Sequence, residues 1–274
     1  MTYPLILVTN DDGIWSPGLR AAVDAVSSLG EVLIAAPNRQ WSGSGRSMPK
    51  SVTGDINTVP YGIEGRTYDR AYEIDATPAL CVIHAMMRLV DRQPDLVVSG
   101  INFGENIGVD ITISGTIGAA VEAAAFGIPA LAVSVEMPVE NHLIGDASED
   151  YAAAKSYTQR FAARMLREPM PFDADILSIN LPQGATSDTP WQLTRLSRQR
   201  YFVPVPQDDS GKKDEAGYRV MDSPEKTEIG SDIWCLHYAH QVSVTPLSID
   251  MTARTDFGAL EEQLRREAQG AIGS

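Results

Sequence analysis

Positive charge is scarce in this chain: 22 lysines and arginines stand against 36 aspartates and glutamates, for a formal net charge of −14. Such a surface repels the backbone of long nucleic acids, whose binding needs many neutralising basic groups, so no nucleic-acid partner is expected. Cysteine is nearly absent. Cys81 and Cys235 lie far apart in apolar surroundings, too few to form a disulfide framework, and are expected as reduced, buried thiols. No apolar run approaches the roughly 20 residues of a membrane span, and Met1–Pro4 carries no basic leader. These features suggest a cytoplasmic protein without membrane attachment. No internal repeat or low-complexity linker divides the chain. Nor does a Gly-x-Gly-x-x-Gly follow the first apolar run, which makes an NAD-binding protein the weakest of the readings open.

What is present begins at Leu5–Gly13, read Leu-Ile-Leu-Val-Thr-Asn-Asp-Asp-Gly. Leu5–Val8 has the length and bulk of a strand buried on both faces, the kind found in parallel sheets covered by helices. Ligands in such sheets collect at the carboxyl ends of strands, where Asp11 and Asp12 would sit on a turn bent by Gly13. Adjacent carboxylates repel each other unless a proton or cation lies between them, which suggests a hard divalent ion such as Mg²⁺ or Mn²⁺. The competing reading is a plain Asp-Gly turn. For an acidic protein acting on a small anion, local positive charge must come from a metal, helix N-termini or a few basic side chains.

A chain of 274 residues, 43% apolar, can bury one large core or one and a half. The pattern predicts a helix over Pro17–Leu29 with Ser16 as N-cap and Pro17 at its first position, then a strand over Glu31–Ala36, completing a βαβ unit. The polar loop Asn38–Ser47 opens at the same edge as Asp11, with Arg39, Arg46 and Lys50 nearby. Ser51–Glu73 reads as antiparallel strands or hairpins at the sheet edge. A helix is expected from Thr77-Pro78 to Val90, with His84 a core residue rather than a ligand. Asp95–Asn102 is a further buried strand. Ser114-Gly115-Thr116 leads into a helix over Ile117–Phe126, where free N–H groups and the helix dipole could hold an anion; alternatively Ser114 or Thr116 is only an N-cap. Gly127 closes that helix before the strand Ile128–Val135. Then follow a helix over Asp150–Arg167, strands over Ile176–Leu181 and Trp191–Leu196, a solvated charged loop over Gln207–Gly217, a short helix over Ser231–Tyr238, a strand over Gln241–Pro246 and an amphipathic helix over Phe257–Ala268. We expect an α/β fold with a mostly parallel sheet and helices on both faces. Its organisation would be a catalytic core over 1–190 and a C-terminal extension over 191–274, with a β-hairpin arm at Tyr201–Met221 and a terminal helix packed on the core.

With these residues in view, the chain resembles the survival protein SurE family of metal-dependent 5′(3′)-nucleotidases. The resemblance covers most of the chain and is most specific at Thr9-Asn10-Asp11-Asp12-Gly13 with Pro17-Gly18, at Ser42-Gly43 after Ala-Pro, and at Ser99-Gly100-Ile101-Asn102-x-Gly104. It continues through Gly108, Asp110, Ser114-Gly115-Thr116, Gly118-Ala119-Ala120, Gly127-Ile128-Pro129 and Ser243–Leu247. It implies a Rossmann-like core and one divalent metal ion per subunit, Mg²⁺ or Mn²⁺, held by Asp11, Asp12, Ser42 and Asn102. It also implies association as a homodimer or homotetramer through exchanged C-terminal elements. Leu80, Ile113 and Trp41 depart from the family's usual residues; Ile113 and Trp41 adjoin the expected site and bear on nucleotide preference more than on the reaction.

Residue chemistry and resemblance converge on metal-assisted hydrolysis of a phosphate monoester; the resemblance implies that the substrates are nucleoside 5′-monophosphates, with 3′-monophosphates as a further class. An ion would polarise a phosphoryl oxygen and lower the pKa of a bound water. Gly43, Ser44, Ser114, Gly115 and Thr116 would hold the remaining phosphate oxygens, and Asp11 or Asp12 would take the water's proton. One alternative is a phosphatase with an aspartyl-phosphate intermediate, but such enzymes usually need Asp-x-Asp and here the acids are adjacent. The other is an idle nucleotide or anion sensor.

Overall fold

Alternation along the first strand, β1 (Leu5–Thr9), sets the layers of the molecule. In this computed structural model, which describes residues 3–138, 151–204, 218–220, 223 and 225–270, Ile6 and Val8 are buried in one core with residues of α1 (Pro17–Val26) and α4 (Ala152–Arg167). Leu5 and Leu7 are buried in the other, with α2 (Pro78–Arg88) and α3 (Gly115–Ala125). Successive strand side chains point to opposite faces, so a strand covered on both faces has to be apolar throughout. The second core is built largely from alanine, with Ala119, Ala120 and Ala123 of α3 against Ala130 and Ala132, which lets α3 lie close to the sheet.

The main sheet contains nine strands in the order β10-β13-β9-β8-β7-β1-β2-β6-β3. These are β2 (Glu31–Pro37), β3 (Ile56–Thr58), β6 (Ala71–Ile74), β7 (Leu96–Phe103), β8 (Ala130–Val135), β9 (Ile176–Leu181), β10 (Trp191–Leu193) and β13 (Val242–Leu247). Strands β6, β2, β1, β7, β8 and β9 are mutually parallel, whereas β3 and β13 join antiparallel at opposite sides. The expected mostly parallel α/β architecture is therefore present. Two small hairpins accompany it: β4 (Tyr61–Ile63) with β5 (Arg66–Tyr68), and β11 (Phe202–Pro204) with β12 (Tyr218–Val220). The latter forms the base of the expected arm, whose charged segment Gln207–Gly217 lies outside the described residues.

From β1 the chain winds outward to β2 and β6, then returns to place β7 on the other flank of β1. That reversal opens a crevice beyond the carboxyl ends of β1 and β7, the ordinary ligand position in such sheets. Local signals behave as expected here: Ser16 Oγ accepts from Leu19 N at 3.2 Å, and Ser114 Oγ from Ile117 N at 3.1 Å.

In the C-terminal third, strands β10 and β13 extend the main sheet, and one expectation fails. The terminal helix α5 (Phe257–Gly270) does not pack on the core, for every described side chain from Phe257 to Arg266 is exposed. The expected short helix over Ser231–Tyr238 is present from Asp232, with Trp234–Tyr238 wound as a π-helix. Both cysteines are free and buried, as expected.

Candidate active site

The turn after β1 is fixed by Asn10, whose amide nitrogen donates to Gly13 O at 3.2 Å and to Ser16 Oγ at 2.7 Å. This places Asp11 and Asp12 at the crevice. Asp11 is turned toward the N-terminus of α3: its Oδ1 accepts from Thr116 Oγ1 at 2.6 Å, and the N–H groups of Gly115 and Thr116 face the same carboxylate. Asp12 looks toward β7, accepting from Phe103 N at 3.4 Å and Gln40 Nε2 at 3.3 Å. Burial raises both carboxyl pKa values, and the neighbouring Asp11 charge adds to the effect on Asp12, which is pushed up to about 7. Two buried carboxylates in sequence are stable as anions only with a cation beside them.

The loop from Asn38 to Ser47 closes over this pair. Trp41 N donates to Asp11 O at 2.7 Å, placing Ser42 next to the acids on an exposed stretch, and Gly45 N donates to Ile113 O at 2.8 Å. The loop rests on α3 so closely that a Cβ at Gly118 would come within 2.2 Å of Gly45 O. A Cβ on Gly115 would lie 2.7 Å from Asp11 Cβ and 2.8 Å from both Asp11 Oδ2 and Ser44 Oγ. That atom of Ser44 is buried and has no hydrogen-bond partner. An unpartnered hydroxyl beside a buried carboxylate costs on the order of 1–3 kcal/mol in a sealed interior and fits a site built to receive a polar ligand.

Asn102 is reached through a register irregularity in β7 between Ser99 and Asn102, the kind of local break that re-aims a side chain. Its amide nitrogen donates to Gly104 O at 2.6 Å, leaving the amide oxygen as its ligand-type atom. Gly43, at φ +71°, is exposed at the loop tip with open space around it.

Some expected residues take different roles. Thr116 is fully buried and its hydroxyl serves Asp11, so the N-terminus of α3 is directed at the chain's own carboxylate; Ser114 acts as the N-cap. Arg46, expected as a source of positive charge, pairs with Glu122 of α3 at 2.6 Å. Arg39 lies over the Trp41 ring, 4.6 Å from its centroid. Gln40 as an Asp12 partner carried no sequence signal. Beside Asp12 opens a cavity of about 280 Å³, walled in part by Trp15, Phe103 and Tyr151. None of these three was expected at the site; the one available sign was a tryptophan two residues beyond Gly13.

The family model described as Survival protein SurE matches residues 6–203. The chain belongs to the SurE family. A protein of Thermococcus gammatolerans named 5′-nucleotidase SurE is 42% identical over 263 residues, spanning 96% of this chain and 97% of that protein. One of the same name from Methanosarcina mazei is 40% identical over 274 residues, spanning 96% and 99%. The crystal structure of the SurE protein from Aquifex aeolicus superposes with a TM-score of 0.70 at 30% identity, covering 95% of this chain and 99% of that one. Within this SurE chain, Asp11 after β1 meets Thr116 and Gly115 at the start of α3, and Asp12 meets Phe103 of β7 and Gln40 of the loop after β2.

Proposed function

We propose that this SurE chain is a divalent-metal-dependent 5′-nucleotidase, hydrolysing nucleoside 5′-monophosphates to nucleoside and phosphate by direct attack of water, with 3′-monophosphates as secondary substrates. The observation that carries this reading is the adjacent pair Asp11–Asp12 at the topological switch point, Asp11 buried against Thr116 at the start of α3 and half-buried Asp12 lining the cavity. The names of the relatives, 5′-nucleotidase SurE, support the choice of substrate.

The donor set fits a hard cation. Two carboxylates, the Ser42 hydroxyl and the Asn102 amide oxygen are all oxygen ligands, the type Mg²⁺ and Mn²⁺ prefer, and one such ion per subunit suffices. When bound, it would polarise a phosphoryl oxygen and acidify a water. The chain's own groups supply the rest. Thr116 and the start of α3 orient the Asp11 carboxylate. Asp12, which lines the cavity, would take the proton of the attacking water. Ser44 Oγ, the backbone around Gly43 and the Ser114 hydroxyl would donate to phosphate oxygens, while Gly115 and Thr116 would contribute through Asp11.

Metal-stripped protein should release no phosphate from a panel of nucleoside monophosphates, and adding Mg²⁺ or Mn²⁺ should restore release. Equal release with and without divalent ion, or none under either condition, would refute the proposal.

A further inference from the structure

The cavity beside Asp12 is lined by neither Ser44 nor Gly115. Of the proposed ligand and phosphate-holding residues, Asp12 alone lines it. A phosphoryl group seated at the two acids would therefore direct its ester substituent into this cavity. The walls suit a flat ring. Trp15 is 54% exposed yet fixed, its indole stacked on the buried Tyr61 with centroids 5.9 Å apart and planes 22° from parallel. Tyr61 is itself held by Arg20, whose guanidinium sits 5.7 Å from the ring centroid while donating to Gly62 O at 2.8 Å. Tyr151 also lines the cavity, its hydroxyl 3.6 Å from where a Cβ on Gly18 of α1 would be. Asn38 and Gln40 bring exposed amides to the rim, with donors and acceptors for the edge of a heterocycle.

We propose that this cavity is the nucleoside subsite and that Trp15 is its stacking platform, making the chain selective for phosphomonoesters that carry a nucleobase over those that end at the sugar. This inference rests on the phosphomonoesterase reading above. A preformed aromatic face loses little conformational freedom when a base stacks on it, and every base offers a π-face, so the platform favours nucleobases as a class rather than one base.

The test compares AMP with ribose 5-phosphate, which lacks the base, on the metal-loaded enzyme. Stacking of one base on one ring corresponds to roughly a fivefold to hundredfold effect, so wild-type kcat/KM should favour AMP by about tenfold or more. Trp15→Ala should bring that preference to within about twofold of unity, the loss falling on KM for AMP rather than on kcat. Trp15→Phe should retain most of it. Trp15→Leu, which still covers Tyr61 but offers no π-face, should behave like the alanine variant and serves if Trp15→Ala does not fold. If the wild type cleaves both substrates equally, or if Trp15→Leu and Trp15→Ala keep the preference for AMP, the subsite assignment is overturned while the phosphomonoesterase reading stands. Divalent-dependent cleavage of neither substrate overturns both.

Discussion

Gly115→Ala is the sharpest probe of the site, because local and tertiary terms act in opposite directions. Gly115 is the first residue of α3, and replacing glycine by alanine inside a helix ordinarily gains up to about 1 kcal/mol. Here the new methyl carbon would sit 2.7 Å from Asp11 Cβ and 2.8 Å from Asp11 Oδ2, against an ordinary contact of 3.4 Å or more. Relieving that overlap requires the Asp11 side chain or the helix start to shift by about 0.7 Å, and overpacking of this kind costs about 1–3 kcal/mol. The net expectation is a destabilisation of about 1 kcal/mol, seen as a melting temperature lower by roughly 2–4 °C. Activity should fall much further. Displacement of a reacting group by about 1 Å can cost on the order of a hundredfold, and Asp11 would also lose its alignment with Thr116. Calorimetric melting together with kcat/KM for AMP at saturating Mn²⁺ measures both effects. A Gly115→Ala enzyme within about threefold of wild type would show that the close seating of Asp11 on α3 is unnecessary to the reaction.

Three further outcomes are expected. Asp12→Asn should abolish divalent-dependent phosphate release and, without metal at pH 8, raise the melting temperature, because it removes a buried charge that repels Asp11; lower stability in metal-free solution would contradict that electrostatic account. Glu105, buried and pushed up to about 7 mainly by desolvation, holds its proton in the folded state at pH values where the unfolded carboxyl, near 4.3, has lost it; its stabilising contribution is full below about 4.3 and is lost as pH rises through about 7, so Glu105→Gln should flatten the fall in unfolding free energy over that window, measured by denaturant titration, by up to about 3 kcal/mol. Light scattering should give full-length protein at least twice the monomer mass of 29.7 kDa, since Phe257, Leu260 and Leu264 of α5 are exposed among the described residues; a monomer at micromolar concentration would show that the C-terminal region is not an association surface.

Sequence reveals features whose cause is local. An all-apolar run of strand length had to be covered on both faces, Ser16-Pro17 and Ser114 had to start helices, and two acids after the first strand had to lie at a carboxyl edge; all were legible before any coordinates. The hidden features depend on pairs far apart in the chain. Nothing near Thr116 signals that its hydroxyl bonds to a carboxylate 105 residues earlier, and a helix N-terminus reads alike whether it faces a substrate or the protein's own acid. Arg46 likewise reads as free positive charge until α3 brings Glu122 beside it. The exposure of α5 was equally illegible, since an amphipathic pattern records that an apolar face will be covered without saying by which chain.

The same limit applies to the loop following β7, and there it bears on how the site is held. Asp232, far along the chain, accepts from Gly108 N at 2.7 Å and from Ser197 N at 2.8 Å, while Asp110 accepts from Tyr201 N and Phe202 N at 2.9 and 2.8 Å. Asn180 on β9 takes the N–H of Asn106 at 2.7 Å and donates to its carbonyl at 3.0 Å. The loop between Asn102 and Ser114 is thus tied at three points to residues after 179. The amide oxygen of Asn102 and the cap of α3 stand at the two ends of that loop. Segments that look in sequence like an appendage to the core therefore help to set the spacing between the strand end and the helix start on which the crevice depends.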